Sequence, residues 1–377
     1  MTNDVSGHGD TPYAAVSQAI IAYFEKVNRE DGGVCGRDLA LVLRDDEYSP
    51  DLALSQTQAL SSEDNVLAII GALSTQSHQL VAPWLNDPDG NGDRADGIPD
   101  LFVSTGWSEW GKVGAYPWTI GFIPDYATDA RVLANFITAE MPDKKVGLLY
   151  REDEFGRDYL AVLQGAFPED KFVSQSYAIG DVDAGQEIGA LADGGAQVLV
   201  LAAPPEIAAL AIAAATGGGL TAPVLLSYVN QPSNLAGELG GGTTAEDIIQ
   251  GFQQLDGVLL TTYLLSAVED EQDNAILEHT RVMETYDGPM VSSLSIYGQA
   301  LAETAVETLL RACPDLTRES VLTSAESLDG FHPSVLLPGI NIELSRSDHE
   351  SIQAMQMIRI NGDGTLELVG EPINVAP

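Results

Sequence analysis

The chain has 377 residues, with 56 acidic against 17 basic side chains and a formal net charge of -39. That field repels phosphates, so nucleic acid and anionic membrane surfaces are disfavoured as partners. A hydrophobic fraction of 45 % argues for a folded acidic protein of two α/β lobes. The absence of any apolar run of about eighteen residues leaves no transmembrane helix in the sequence.

Lysine is scarce, which points to a high-salt habitat where mobile ions screen the self-repulsion. After Pro12 a helix is expected, with Val16, Ile20, Phe24 and Val27 on one face and Gly32-Gly33 as its stop. Leu39 to Leu43 reads as a strand, Leu52 to Leu60 as a helix, and Val66 to Ile70 as a second, fully apolar strand. Gly71 to His78 then forms a hydroxyl-bearing loop that leads into a helix ending near Leu85. Leu101 to Val103 repeats the pattern and is followed by Ser104-Thr105-Gly106-Trp107-Ser108. In a parallel sheet such loops lie at the carboxyl ends of strands, where hydroxyls and helix amides hold a small polar ligand; capping of the next helix is the plainer use of the same residues.

A second strand–helix series begins after Pro124. It has helices at Ala130 to Met141, near Tyr159 to Phe167 and up to Thr216, and strands at Val146 to Tyr150, near Phe172, at Val198 to Leu201 and at Val224 to Leu226. Long helical patterns run over Asp273 to Tyr286 and Ser295 to Ala312, and Asn361-Gly362-Asp363-Gly364 is a hairpin signal. The predicted class is α/β, with two doubly wound lobes.

The ordered set of Gly71-Ala72-Leu73-Ser74-Thr75, Pro99 to Gly106, Tyr116-Pro117-Trp118-Thr119-Ile120-Gly121-Phe122-Ile123-Pro124, Ala14 to Gly33, Val146 to Gly156 with its Phe155-Gly156 turn, and Leu336-Leu337-Pro338-Gly339-Ile340 resembles the leucine/isoleucine/valine-binding family of type I solute-binding proteins. These are extracytoplasmic receptors of ABC importers. The resemblance spans nearly the whole chain and implies two lobes joined by a three-segment hinge, one of residues 1-123 and 263-346, the other of 124-262 and 347-377. It implies a small amino acid or carboxylate/amide ligand taken between the lobes by hinge closure, and a membrane permease as partner. It also makes Met1 to Gly7 the loop leaving a first strand, so a leader and that strand are expected to precede Met1. Cys35 and Cys313 form one disulfide in an exported protein, or stay as two buried thiols.

The resemblance further assigns Thr75 and Ser74 to a carboxylate-binding hydroxyl position, Gly106 to backbone contacts and Ser108 to either end of a ligand. Tyr13 and Phe155 correspond to aromatics of the two lobes, with ordinary core packing as the competing role. Tyr228 stands where amino-acid binders of the family put a carboxylate for the ligand's ammonium. A phenol supplies no counter-charge at neutral pH, so a ligand without an ammonium group, including an aromatic acid, fits as well. Trp107 either caps such a ligand or packs away from it.

Asp87, Asp89, Asn91 and Asp93, with a glycine at the sixth position, have the alternating oxygens that a calcium ion needs, and Asp96 or Asp100 would close the shell. A solvated acidic turn is the alternative. No catalytic signature is present: there is no G-x-S-x-G, no phosphate loop, no H-E-x-x-H and no C-x-x-C, and the histidines are scattered, so no enzyme activity is expected. A passive solute receptor is the first reading, and the sensory domain of a regulator with the same architecture is the second.

Overall fold

The computed structural model describes residues 1–6, 13–92, 95–242 and 244–376. The chain divides into two α/β units and passes between them three times. One unit is Met1–Asp125 with Leu264–Gln353, the other Tyr126–Tyr263 with Ala354–Pro377.

The first unit opens with β1 (Thr2–Asn3), α1 (Ala14–Lys26), β2 (Arg44–Asp45), α2 (Pro50–Ser62), β3 (Ile69–Ile70), α3 (Thr75–Asn86), β4 (Asp100–Val103) and β5 (Thr119–Gly121). The second unit begins with α4 (Tyr126–Glu140), β6 (Val146–Arg151), α5 (Glu154–Ala166), β7 (Phe172–Tyr177), α6 (Gly185–Asp193) and β8 (Val198–Ala202). It continues with α7 (Pro205–Gly217), β9 (Val224–Leu226), α8 (Pro232–Gly240), α9 (Ala245–Gln254) and β10 (Leu259–Thr262). The chain then supplies α10 (Asn274–Thr285), α11 (Ser293–Arg311) and α12 (Arg318–Ala325) to the first unit and the hairpin β11 (Ala354–Ile360) and β12 (Leu366–Asn374) to the second.

The second unit has one seven-stranded sheet in the order β12-β11-β10-β9-β8-β6-β7. Strands β6 to β10 are parallel, as apolar runs covered on both faces should be, and β11 and β12 join antiparallel. Its core sets Leu149, Leu199 and Leu201 of the sheet against Ile188, Leu191, Ala208 and Ile212 of α6 and α7. In the first unit β1 pairs with β2, and β3, β4 and β5 form a parallel ladder. Val16, Ile20, Phe24 and Val27 are all buried, and α1 passes into a π-helical turn at Val27–Asp31 that stops at Gly32 in the left-handed region.

Three expectations are corrected. Thr2–Asn3 is itself a strand, so Met1 to Gly7 is not wholly a loop; Gly7 lies outside the described residues. The strand expected at Leu39 to Leu43 is found at Arg44–Asp45, because the residues that pair with β1 are those opposite Thr2 and Asn3. Phe155 and Gly156 do not form a turn: they sit in the first turn of α5, whose cap is Asp153, with Gly156 N donating to Asp153 Oδ1 at 3.2 Å. A Cβ at Gly156 would fall 2.0 Å from the Arg151 carbonyl oxygen, which is why the sequence needs glycine there.

Cys35 and Cys313 are joined by a disulfide. It anchors the segment after α1 to the end of α11, within the first unit.

Candidate ligand site

At the carboxyl ends of β3 and β4 the two hydroxyl-rich loops meet, and a bridge between Leu73 and Ser104 extends the ladder into them. The Thr75 and Thr105 hydroxyls are hydrogen-bonded to each other. Ser74 caps α3, its Oγ accepting from Ser77 N at 3.3 Å, so its side chain is used by the helix. Ser104 pairs with the Tyr297 hydroxyl of α11. Thr105 was missed from sequence, although it sits within the quoted loop; the signal was its position opposite Thr75 once the two strands are paired in parallel.

Two residues without glycine's freedom adopt left-handed backbone here, Ser74 at φ 72° and Phe102 at φ 60°. Phe102 coincides with a register shift between β4 and β5, a bulge that re-aims the chain just before Ser104. Strain of this kind costs on the order of 1–3 kcal/mol per residue and collects where a loop must hold a defined shape. Gly71, before the first loop, also has positive φ, and a Cβ on it would lie 2.9 Å from Leu301 Cδ1.

Gly106 is buried, and Trp107 and Ser108 are half-buried. Trp107 packs edge-on against Trp110 at 4.9 Å, in a cluster with Val103 and Ala82. Tyr13 stacks on Tyr48 at 6.1 Å. Behind the loops, His78 Nε2 lies 2.8 Å from Asp100 Oδ2, and Thr119 Oγ1 donates to the same oxygen at 2.8 Å. His78 Nδ1 is buried and has no hydrogen-bond partner among the described residues.

In the second unit Phe155 is buried between Tyr126, at 4.7 Å, and Tyr159, at 5.3 Å. Tyr228 is also buried, edge-on to Tyr263 at 6.0 Å. Beneath it lies a carboxylate the sequence did not single out. Asp129 Oδ2 accepts from Tyr228 N at 3.2 Å and from the Tyr159 hydroxyl, and Oδ1 accepts from Thr261 Oγ1 at 2.5 Å. Burial pushes the Asp129 carboxyl up to about 6, against the pull of these donors and of Ser227. Burial likewise drives the hydroxyls of Tyr159 and Tyr228 well above their usual range, so both stay neutral. Among 56 acids only its place in the first turn of an apolar helix distinguished Asp129.

The aspartate-rich loop is only partly assembled. Asp87 Oδ2 accepts from Gly92 N at 3.1 Å, and its Oδ1 is shielded and unpartnered among the described residues. Asp89 accepts from Asn91 N at 3.1 Å and Asn91 Nδ2 at 2.7 Å, Asp96 is exposed, and Asp93 lies outside the described residues. Asp100 is not part of this shell: it is the first residue of β4, fully buried and engaged by His78 and Thr119. An acid that opens a buried strand needs donors of its own, which acid density in the sequence did not reveal. No cluster of three or more potential metal ligands occurs among the described residues.

A family model described as "Periplasmic binding protein" matches residues 1–365. The chain belongs to the periplasmic binding protein family. This periplasmic binding protein has the type I fold, and no curated protein matches its sequence. It resembles a branched chain amino acid ABC transporter structure from Thermus thermophilus with bound valine, at TM-score 0.80 and 19 % identity, covering 100 % of this chain and 95 % of that one. A fatty acid ABC transporter substrate-binding protein from Thermomonospora curvata is similar at TM-score 0.74 and 21 % identity, over 99 % and 91 % of the two chains. A leucine binding protein, LivK, from Thermotoga maritima follows at TM-score 0.72 and 17 % identity, over 99 % and 96 %. At these identities the likeness is one of fold. No helix among the described residues is long and apolar enough to cross a membrane.

Proposed function

We propose that the protein is an extracytoplasmic solute receptor of an ABC importer, binding a small carboxylate with an apolar body and handing it to a membrane permease. The Thr75–Thr105 hydroxyl pair, at the amino end of α3 and the carboxyl end of β4, carries this reading. Hydroxyl donors beside the positive end of a helix suit a carboxylate. The ligands named for the similar proteins, valine, leucine and fatty acids, share a carboxylate and an apolar body, and fatty acids lack an ammonium. Asp129, which accepts from Tyr228 N, is buried and occupied by four donors, so it is a poor counter-ion for a ligand amine. Small amino acids and amides remain in the ligand class, and uptake by closure about the three chain crossings belongs to the same reading. The cystine is in keeping with an oxidising compartment. A thermal-shift screen of amino acids, their des-amino acids and their amides tests it. A rise in melting temperature with at least one carboxylate is expected, and no response to any compound that carries one would overturn the reading.

A further inference from the structure

The second unit contains a cavity of about 270 Å³ at the carboxyl ends of β6, β7 and β8. That is room for a molecule of a few heavy atoms, somewhat below the usual size of a ligand pocket. Tyr177, 4 % exposed, is one of the lining residues, and its buried hydroxyl has no hydrogen-bond partner among the described residues, a costly arrangement for a polar atom. In the sheet order, β7 and β8 flank β6 on opposite sides, so the chain reverses direction across the sheet at this point. Crevices at such points are where parallel sheets take ligands.

Charge selects the kind of molecule. Arg151, Asp153, Asp181 and Glu206 all act electrostatically on the Tyr177 hydroxyl. The single cation among them, Arg151, is already paired with Asp153 through Nε at 2.6 Å. Asp181, which accepts from Ala178 N at 2.7 Å, and Glu206 stand at the cavity with no ion pair among the described residues, so a carboxylate entering it meets repulsion and an ammonium attraction. Around them Ile179 and Val182 are 60 % and 84 % exposed and Leu210 is 41 % exposed, an apolar collar on an otherwise strongly acidic protein.

We propose that this cavity is a binding site for a small amphipathic amine, whose ammonium meets Asp181, Glu206 and the Tyr177 hydroxyl while its hydrocarbon lies against Val182 and Leu210. The cavity is lined by residues of the second unit alone, and the proposal does not depend on the function proposed for the Thr75 and Thr105 hydroxyls.

Calorimetric titration with n-butylammonium, using butyrate as its charge-reversed counterpart, tests the site on the full chain. Butylammonium should bind one to one and butyrate should not. The double variant Asp181→Asn/Glu206→Gln should weaken butylammonium by about tenfold or more, as loss of hydrogen bonds to a charged group does. Tyr177→Phe, which removes a hydroxyl with no partner and so leaves the fold in place, should weaken it by about threefold. Removing two charges elsewhere on the same unit, in Glu169→Gln/Asp170→Asn, should change nothing. The proposal is overturned by absence of saturable butylammonium binding, by equal binding of butyrate, by unchanged affinity in either site variant, or by equal weakening in the Glu169/Asp170 control.

Discussion

Thr261 donates its hydroxyl hydrogen to Asp129 Oδ1 across 2.5 Å, which fastens strand β10 to helix α4 through a carboxylate that solvent does not reach. Tyr159 of α5 and the backbone of Tyr228, after β9, converge on the other oxygen. Helix α5, strand β10 and the segment after β9 are thus tied to one side chain of α4.

This knot should make stability depend on pH. The folded carboxyl is raised to about 6 from an ordinary 3.8, so the folded state holds its proton more tightly than the unfolded chain. The contribution is fully present below about pH 3.8 and is lost as pH rises through about 6, a difference of about 3 kcal/mol. Asp129→Asn cannot ionise and should flatten that part of the stability curve. Urea unfolding of both proteins between pH 4 and pH 7 reads the effect, and parallel curves would refute it.

Thr75→Ala combined with Ser108→Ala should weaken carboxylate binding by about 1.5–3 kcal/mol for each hydrogen bond lost, with the circular dichroism spectrum unchanged. Thr105→Val, which breaks the hydroxyl pair from the other side, should act in the same direction. Calorimetry with the tightest ligand of the screen decides the matter; wild-type affinity in the double variant would remove these hydroxyls from the site.

Isovalerate should bind within about tenfold of valine, because Asp129, which accepts from Tyr228 N, is buried and already occupied by donors, and a buried unpaired ammonium is penalised. Tight binding confined to zwitterions would mean that another acid faces the ligand.

Reducing the Cys35–Cys313 bond, or replacing both cysteines by serine, should cost about 2–4 kcal/mol of stability. An unfolding midpoint that ignores reductant would contradict the bond.

Calcium is expected to stabilise the loop at Asp87, Asp89 and Asn91, since Asp87 Oδ1 is shielded and has no hydrogen-bond donor among the described residues. Chelation at constant ionic strength should lower the melting temperature by a few degrees, as loss of a ligand bound only to the folded state does. Identical curves with and without metal leave a solvated turn.

Most of the fold was legible because its strands are apolar runs of a length that only strands have, such as Val198 to Leu201, and its helices keep their buried faces in register, as α1 does with Val16, Ile20 and Phe24. The edges were less so. Whether Arg44 or Leu39 lies in a strand depends on what is opposite, and local pattern does not carry that information. The same limit applied to the site. Hydroxyls in loops could be read in sequence, but the pairing of Thr75 with Thr105 required two distant loops to be brought together. Asp100 looked like any of the many acids, and Asp129 differed only by its place in the first turn of an apolar helix; burial sets both apart in the fold.

The disulfide closes a covalent ring that contains residues 126–263, which supply every parallel strand of the seven-stranded sheet, while β11 and β12 hang on the tail outside it. A single cut by a protease anywhere between Cys35 and Cys313 therefore opens the ring without dividing the molecule. A cut after Cys313 instead severs the tail, leaving β11 attached to β10 by backbone pairing over Leu259 to Thr262 and by its packing alone. Resistance to fragmentation is thus written unevenly along the chain, with β1 and α1 before Cys35 and the closing hairpin of the second sheet after Cys313 both outside the ring.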